Sequence, residues 1–249
     1  SVTFLRFRGL PFLDLPNHTA RSYVIGELLW GTEFRDLFAF DLLFTPYILT
    51  DLILAALLRI FPLEYGALAL VVLAFVLQPL ALVAYGKTRR LTTQSLIVVA
   101  LIGTYLATNW FFLSAFLSFS IGFALVFFTL ACWERCLQLS PRMKQVPWYL
   151  LFLFTATLAY LSHLSSFTFL TAIVGGMGVL RLVTRRLSLF GFLCSLLPFA
   201  GFVTIHLLRS TSRQDFANEW LFRSPLDKLL AIGTMFIRFD YLADVLFFV

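Results

Sequence analysis

The apolar stretch GALALVVLAFVLQPLALVAYGKTRR, residues 66–90, decides the fold of this chain. Residues 66–85 carry no charged side chain, and a helix needs roughly 20 such residues to cross the hydrocarbon core of a bilayer. Lys87, Arg89 and Arg90 follow at once. A basic cluster after an apolar run is typical of the cytoplasmic end of a transmembrane helix. The stretch therefore predicts a membrane span that ends in the cytoplasm.

The composition of the whole chain agrees with a membrane protein. Of the 249 residues, 60% are hydrophobic and 13% are charged, and the mean hydropathy is +0.91, whereas a soluble domain carries about 25% charged residues. The alternating segments of a transmembrane barrel are missing, so the predicted fold class is all-α. The formal net charge of +6 then reflects membrane topology and excludes a nucleic-acid surface. The three cysteines lack metal or redox spacing.

Six apolar runs predict a polytopic bundle that forms one membrane domain. The second and fourth runs are shorter than roughly 20 residues, so we expect them to pair tightly with their successors. An extracytoplasmic loop precedes the spans, another follows them, and a further apolar helix begins at the end. The chain starts without Met and stops inside an apolar run, so we expect a fragment truncated at both ends. The runs are 66–85, 95–108, 111–133, 148–163, 166–184 and 188–208, and the flanking parts are 1–65, 209–228 and 229–249.

The basic residues predict the direction of threading. They form three clusters that fall on one side if every run crosses, and the positive-inside rule makes that side the cytoplasm. The turns around Asn109 and Leu164, on the other side, contain no Lys or Arg. All three histidines and every carboxylate except Glu134 would then lie outside. The clusters are Lys87, Arg89 and Arg90; Arg135, Arg142 and Lys144; and Arg181, Arg185 and Arg186.

Residues 42–61 form a second helical element with two interpretations. The stretch is apolar enough to span, but it contains Asp51 and Arg59, and a charge at the centre of a span costs about 2.5–3.5 kcal/mol. A crossing here would also move the first basic cluster to the outside. We therefore expect a juxtamembrane helix against the outer face, with a true span as the alternative.

The segment LDLPNHTARSYVIGELLWG, residues 13–31, carries the candidate chemistry. Its pattern predicts an amphipathic surface helix that starts at Pro16 and Asn17, with Asn17 as the cap, and ends at Gly31. Its apolar face would consist of Ala20, Tyr23, Val24 and Leu28.

A carboxylate, an imidazole and a guanidinium come close together in that segment. Asp14 precedes His18, which shares a helix face with Arg21 three residues later. The helix N-terminus and Arg21 suit an anionic phosphate, while Asp14 or His18 suits proton transfer. In the structural alternative, Asp14 caps the helix or bridges to Arg21, and His18 is a solvated loop residue.

The same segment resembles the first outer loop of the GT-C glycosyltransferases, the superfamily of protein O-mannosyltransferases and lipid A aminoarabinose transferases. The shared pattern is an acidic residue, a His or aromatic residue, Ala-Arg, and a helix ending in Gly. Asp14, His18, Ala20, Arg21 and Gly31 occupy those positions. The proline-led stretch TPYILTDLILAALLRIF (45–61) resembles the juxtamembrane helix of these enzymes, and ATNWFFLSAFLSFSIGFALVFF (107–128) and LAYLSHLSSFTFL (158–170) resemble their outer turns.

The resemblance implies a membrane glycosyltransferase that moves a sugar from a polyprenyl-phosphate donor to an unidentified acceptor on the extracytoplasmic face. It implies that Asp14, with His18, handles the acceptor proton. Arg21, His163 and Asn109 would contact donor phosphate, His163 lying where many relatives carry Lys. The protein would sit in a bacterial inner membrane among lipids, without nucleic acid, and a first transmembrane helix would precede Ser1.

The chain also departs from the family pattern. Relatives carry a second acidic residue beside the first, whereas Leu15 follows Asp14 here. We therefore assign no metal ligand, and a divalent cofactor is an alternative, not an expectation. We expect Asp14, His18, His163 and Asn109 to share one outer groove. In the alternatives, His163 and His206 are packing or interfacial residues, and the chain is a non-catalytic membrane protein, either a transporter or a lipid-handling subunit.

Overall fold

The computed structural model describes residues 15–38, 46–108, 112, 116–139 and 142–210, without the side chains of residues 142 and 206–210. These residues form α-helices with one short 3₁₀ turn, and none of them lies in a β-strand, which confirms the all-helical prediction. The helices are α1 Leu15–Trp30, α2 Ile48–Ile60, α3 Leu63–Thr88, α4 Thr93–Leu106, α5 Leu117–Gln138, α6 Val146–Ser162, α7 Leu164–Val183 and α8 Leu189–Ser210.

Each of the six predicted apolar runs corresponds to one helix from α3 to α8. Three of them, α3, α5 and α7, are long and apolar enough to cross a membrane. The second and fourth runs form the shorter apolar helices α4 and α6, of 14 and 17 residues, as their lengths predict.

Helix α5 lies at the centre of the described bundle and packs against α3, α6 and α7. Glycine residues permit two close approaches between helices, one between α5 and α7 and one between α4 and α3. A Cβ on Gly122 of α5 would come within 2.7 Å of Ser166 Oγ on α7, and one on Gly103 of α4 would come within 2.8 Å of Pro79 Cα on α3. Aromatic side chains, among them Phe152, fill the interior around α5.

Members of two basic clusters meet at Glu134, next to Arg135 of the third cluster, at one end of the described bundle. Arg89, just after α3, places Nη1 3.2 Å from Glu134 Oε1 on α5, and Arg181 near the end of α7 places Nη2 2.6 Å from the same oxygen. Gln138 of α5 also donates to the backbone carbonyl of Thr88, at 2.9 Å. The structure therefore brings the C-terminal ends of α3, α5 and α7 together around one buried carboxylate.

Helix α1 starts earlier than its sequence signals predict. It begins at Leu15, so Asn17 lies inside the first turn and the prediction that Asn17 is the cap is wrong. The predicted end is confirmed, since the helix stops at Trp30, directly before Gly31.

The buried face of α1 is its polar face. Ala20 and Tyr23, which the pattern assigns to the apolar face, are exposed, whereas His18 and Ser22 are buried with Ile25. The reason is the partner, because α1 packs on α2, and α2 presents charged side chains to it.

Helix α2 has 13 residues and is therefore about 20 Å long. The hydrocarbon core of a bilayer is about 30 Å thick, so this helix is too short to cross it alone.

Candidate functional site

Asp51 of α2 is the centre of a buried polar cluster with two residues of α1. Arg21 binds the carboxylate through two nitrogens of its guanidinium: Nε lies 2.6 Å from Oδ2, and Nη2 donates to Oδ1 at 3.0 Å. His18 Nδ1 lies 3.1 Å from Oδ1. The exposed fraction is 3% for Asp51 and 6% for His18, while the Arg21 side chain is half exposed. Arg21 is therefore the most exposed member of this cluster.

The geometry selects one tautomer of His18. Its Nδ1 lies 3.1 Å from Asp51 Oδ1 and 3.0 Å from Arg21 Nη2. A protonated Nδ1 donates to the carboxylate and a bare Nδ1 accepts from the guanidinium, and the two are mutually exclusive. Arg21 already donates twice to Asp51, so the proton belongs on Nδ1, facing the negative charge. With its proton on Nδ1, the imidazole is oriented by the carboxylate.

A second ion pair between the same helices aligns them side by side. Arg59 Nη2 of α2 lies 3.1 Å from Glu27 Oε1 of α1 and also donates to the carbonyl of Gly26, at 2.8 Å. Gly26 leaves room for Ala55, whose Cβ would lie 3.8 Å from a Cβ at that position. This ion pair contains no histidine, so a substitution of Glu27 serves as the control for a substitution of Asp51.

His163 links α6 and α7 as a helix cap. Its Nδ1 accepts a hydrogen bond from the backbone N–H of Ser165, at 3.1 Å, so its proton sits on Nε2. The ring makes edge contacts with Tyr47, at 4.7 Å between centroids, and with Phe119, at 5.3 Å. Burial lowers the pKa of His163 to about 4. A neutral imidazole of this kind offers one hydrogen-bond donor to a phosphate and no positive charge.

The first turn of α2 connects His163 with the Asp51 cluster. Tyr47, which contacts the His163 ring, immediately precedes α2 and has φ 75°, a left-handed conformation that is costly for an aromatic residue. Asp51 lies four residues later, which is about 6 Å along the helix axis. The structure thus brings His18, Arg21 and His163 to the same end of α2.

Two further predicted site residues, Asp14 and Asn109, lie outside the described residues, as does the side chain of His206. The shared groove therefore stays a prediction. Asp51 is the residue that sequence reasoning missed. Its only signal was a carboxylate within an otherwise apolar stretch, and that signal does not identify a partner 33 residues away.

No group of three or more His, Cys, Asp or Glu side chains suited to a metal ion occurs within the part of the chain that the structure describes. The Asp51 carboxylate contacts the guanidinium of Arg21 and the imidazole of His18.

A histidine cap with a lowered pKa makes stability depend on pH. In the unfolded chain His163 is protonated near pH 6.5, whereas in the folded protein it is protonated only near pH 4. The unfolded state therefore binds more protons in this window, and we expect stability to fall with falling pH, by up to about 1.4 kcal/mol per pH unit. Thermal unfolding followed between these two pH values measures the slope.

The variant His163→Asn separates protonation from capping. Asparagine is among the best N-cap residues and keeps a side-chain oxygen for the Ser165 N–H, so this variant should flatten the acid-side slope. His163→Ala should show the same flat acid-side slope and should be about 1 kcal/mol less stable than His163→Asn at every pH, because the cap is gone. An unchanged slope in His163→Asn would assign the acid sensitivity to another group.

The described helices define the class of the molecule: an all-helical protein with three helices long and apolar enough to cross a membrane, which indicates a membrane protein. The chain matches no protein-family model, and no curated protein sequence or solved structure is significantly similar to it.

Proposed function

We propose that this protein is a multi-pass membrane glycosyltransferase with a GT-C-like bundle, which moves a sugar from a polyprenyl-phosphate donor to an acceptor on the extracytoplasmic face. The observation that supports this most strongly is the buried Asp51 carboxylate, which orients His18 and engages Arg21 at the end of α2. An orienting carboxylate beside an imidazole is an arrangement suited to proton transfer.

The proposed reaction assigns each group a role. The bond between the anomeric carbon and the donor phosphate breaks, and the acceptor oxygen forms a new bond to that carbon. The acceptor proton passes to Asp14 or to Nε2 of His18. Asp51 holds the imidazole in place and stabilises its positive charge when it is protonated. The polyprenyl phosphate leaves with its own negative charge, so it needs little acid assistance.

Arg21 and His163 are the proposed contacts to the donor phosphate. Two nitrogens of Arg21 are committed to Asp51, so the phosphate would meet the remaining exposed edge of the guanidinium. His163 would add one neutral hydrogen bond from Nε2. Asn109 completes the set implied by the family resemblance.

The proposed orientation places the basic end of the bundle in the cytoplasm of a bacterial inner membrane. The joint contact of Arg89 and Arg181 with Glu134 supports it, because one end collects the basic clusters, and basic residues favour the cytoplasmic side. His163, at the start of α7, then belongs to the extracytoplasmic end.

The test is sugar transfer by the purified full-length protein from labelled polyprenyl-phosphate sugars, separated by thin-layer chromatography. Wild type should form product, and Asp14→Asn should lose at least about a hundredfold in rate, the low end for removing a general base. Arg21→Ala should mainly raise KM for the donor. A parallel reaction with chelator tests for a divalent metal.

The contradictory outcomes are distinct. Unchanged transfer by Asp14→Asn would remove Asp14 from the mechanism and leave His18 as the base. An absence of product from wild type with every donor would support the alternative class, a transporter or lipid-handling subunit.

One observation favours that alternative class. Gln78, in the middle of α3, is 2% exposed, and neither polar atom of its side chain has a hydrogen-bond partner among the described residues. Polar groups at the middle of spans are typical of transport pathways. It is a single amide, so we rank transport second.

A further inference from the structure

Two turns at the basic end repeat the same four residues. Thr-Arg-Arg-Leu occurs at residues 88–91 between α3 and α4, and again at residues 184–187 between α7 and α8. Each is followed by a hydroxyl residue that caps the next helix: Thr92 accepts from the N–H of Ser95, and Ser188 accepts from the N–H of Gly191. We name the surface formed by these two turns, with Arg181, the basic surface.

Both turns end their helix with an arginine in the left-handed conformation. Arg90 has φ 57° and Arg185 has φ 56°. The backbone closes over them with bonds typical of a glycine-terminated helix, from Leu91 N–H to the Gly86 carbonyl at 3.2 Å and from Arg186 N–H to the Arg181 carbonyl at 2.7 Å. Glycine is the residue best suited to these positions, so local stability does not explain an arginine at both.

Among the described residues, the basic surface carries more positive than negative charge. Glu134 is the only acidic residue between Glu64 and Asp215 in the sequence, and Arg89 and Arg181 already share its Oε1. Its carboxylate is 2% exposed and turned into the bundle. Arg90, Arg185 and Arg186 are exposed and form no ion pair with a described carboxylate.

Large apolar side chains border these arginines. Val183 and Phe190 are each 74% exposed, and Leu189 is 60% exposed. A partner that contacts both the exposed arginines and the apolar side chains carries a negative headgroup next to hydrocarbon. A soluble polyanion would use the charges and leave the apolar border in water.

We propose that the basic surface binds the phosphodiester headgroup of an anionic glycerophospholipid, with its acyl chains against the border of Val183, Leu189 and Phe190. Phosphodiester oxygens accept hydrogen bonds from guanidinium groups, and basic pockets between helices suit such headgroups. The site is separate from the proposed donor site, because the 20 residues of α7 place about 30 Å between His163 and the Arg185 turn. It does not depend on the proposed function.

The experiment titrates phosphatidylglycerol or phosphatidylcholine into the detergent-solubilised full chain and counts retained lipid by native mass spectrometry. Wild type should retain phosphatidylglycerol preferentially. The double variant Arg90→Gly with Arg185→Gly should lose about fivefold in apparent affinity per arginine, the worth of one basic residue at an anionic surface. Arg35→Gly, which removes an exposed arginine outside the basic surface, is the matched control and should bind like wild type.

Thermal unfolding in phosphatidylcholine confirms that the double variant is folded. Glycine suits both left-handed positions, so its unfolding midpoint should equal or exceed that of wild type. If it is lower, the pair Arg90→Asn with Arg185→Asn replaces it, because asparagine also tolerates this conformation. Equal phosphatidylglycerol retention by wild type and the folded variant overturns the proposal. Displacement of the lipid by inorganic phosphate or soluble polyphosphate overturns it also, in favour of a soluble anion.

Discussion

Replacing Glu134 with leucine is expected to destabilise the protein by at least about 3 kcal/mol, the cost of breaking a buried ion pair from one side. Glu134 is 2% exposed, and its carboxylate contacts two guanidinium groups. Arg89 can turn to solvent, since about half of its side chain is exposed. Arg181 is more enclosed and lies over the Trp133 ring, with Cζ 4.7 Å from the centroid, so it would keep an unpaired charge. Chemical unfolding in detergent micelles measures the loss.

The control is Glu27→Leu, which removes the acid of the pair with Arg59. That arginine is 38% exposed, and an ion pair near solvent contributes about 1 kcal/mol or less. A second substitution, Arg181→Met, should recover part of the stability lost in Glu134→Leu, because it removes the stranded charge. Equal losses in Glu134→Leu and Glu27→Leu would show that Glu134 does not hold the three helix ends together.

With His18 as the base, Asp51→Asn is expected to lower sugar transfer at least about a hundredfold, the low end for disabling acid–base catalysis. Asparagine keeps the shape and one acceptor oxygen for Arg21. It removes the charge that fixes the His18 proton on Nδ1 and stabilises the protonated imidazole. The rate should change more than KM for the donor, because Asp51 reaches the phosphate only through Arg21 in the proposed reaction.

The matched control is Glu27→Gln, an equal loss of charge between the same two helices. Both variants lose one ion pair to an arginine, so a purely structural role of Asp51 predicts similar rates for the two once each rate is scaled to the folded fraction. A functional role predicts a rate loss in Asp51→Asn alone. Rates scaled to the folded fraction decide between them, and equal scaled rates would make Asp51 a helix-packing residue.

The membrane helices could be predicted because their signal is local. An uninterrupted apolar run such as 66–85 specifies a helix by length and hydropathy, and α3 covers it. The three basic clusters were predicted to lie at one end from their spacing, and the shared contact of Arg89 and Arg181 with Glu134 brings members of two of them together.

The arrangement of α1 could not be predicted from its own residues. Its periodicity separates Ala20 and Tyr23 from His18 and Ser22, but which face is buried depends on the partner helix. Because α2 offers Asp51 and Arg59, the polar face is the buried one. The start at Leu15 was missed because Asn17 is a strong cap signal, and Pro16 fits equally well one position inside the helix.

The candidate site could be predicted only in part. His18 and Arg21 share a helix face by local spacing, and the structure places Arg21 Nη2 3.0 Å from His18 Nδ1. Asp51 joins them across 30 residues or more of sequence, and a contact of that range has no local signature.

The central claim, that the end of the bundle with Asp51 and His163 holds the lipid-phosphate donor, is tested most directly by photo-crosslinking. Purified full-length protein is irradiated with a photoreactive polyprenyl-phosphate analogue, and the labelled peptides are identified by mass spectrometry. We expect labels within residues 15–30, 46–60 and 160–167, reduced by Arg21→Ala and by excess unlabelled donor. Labels confined to the turns at residues 88–92 and 184–188, or labels that excess donor does not compete, would contradict the account.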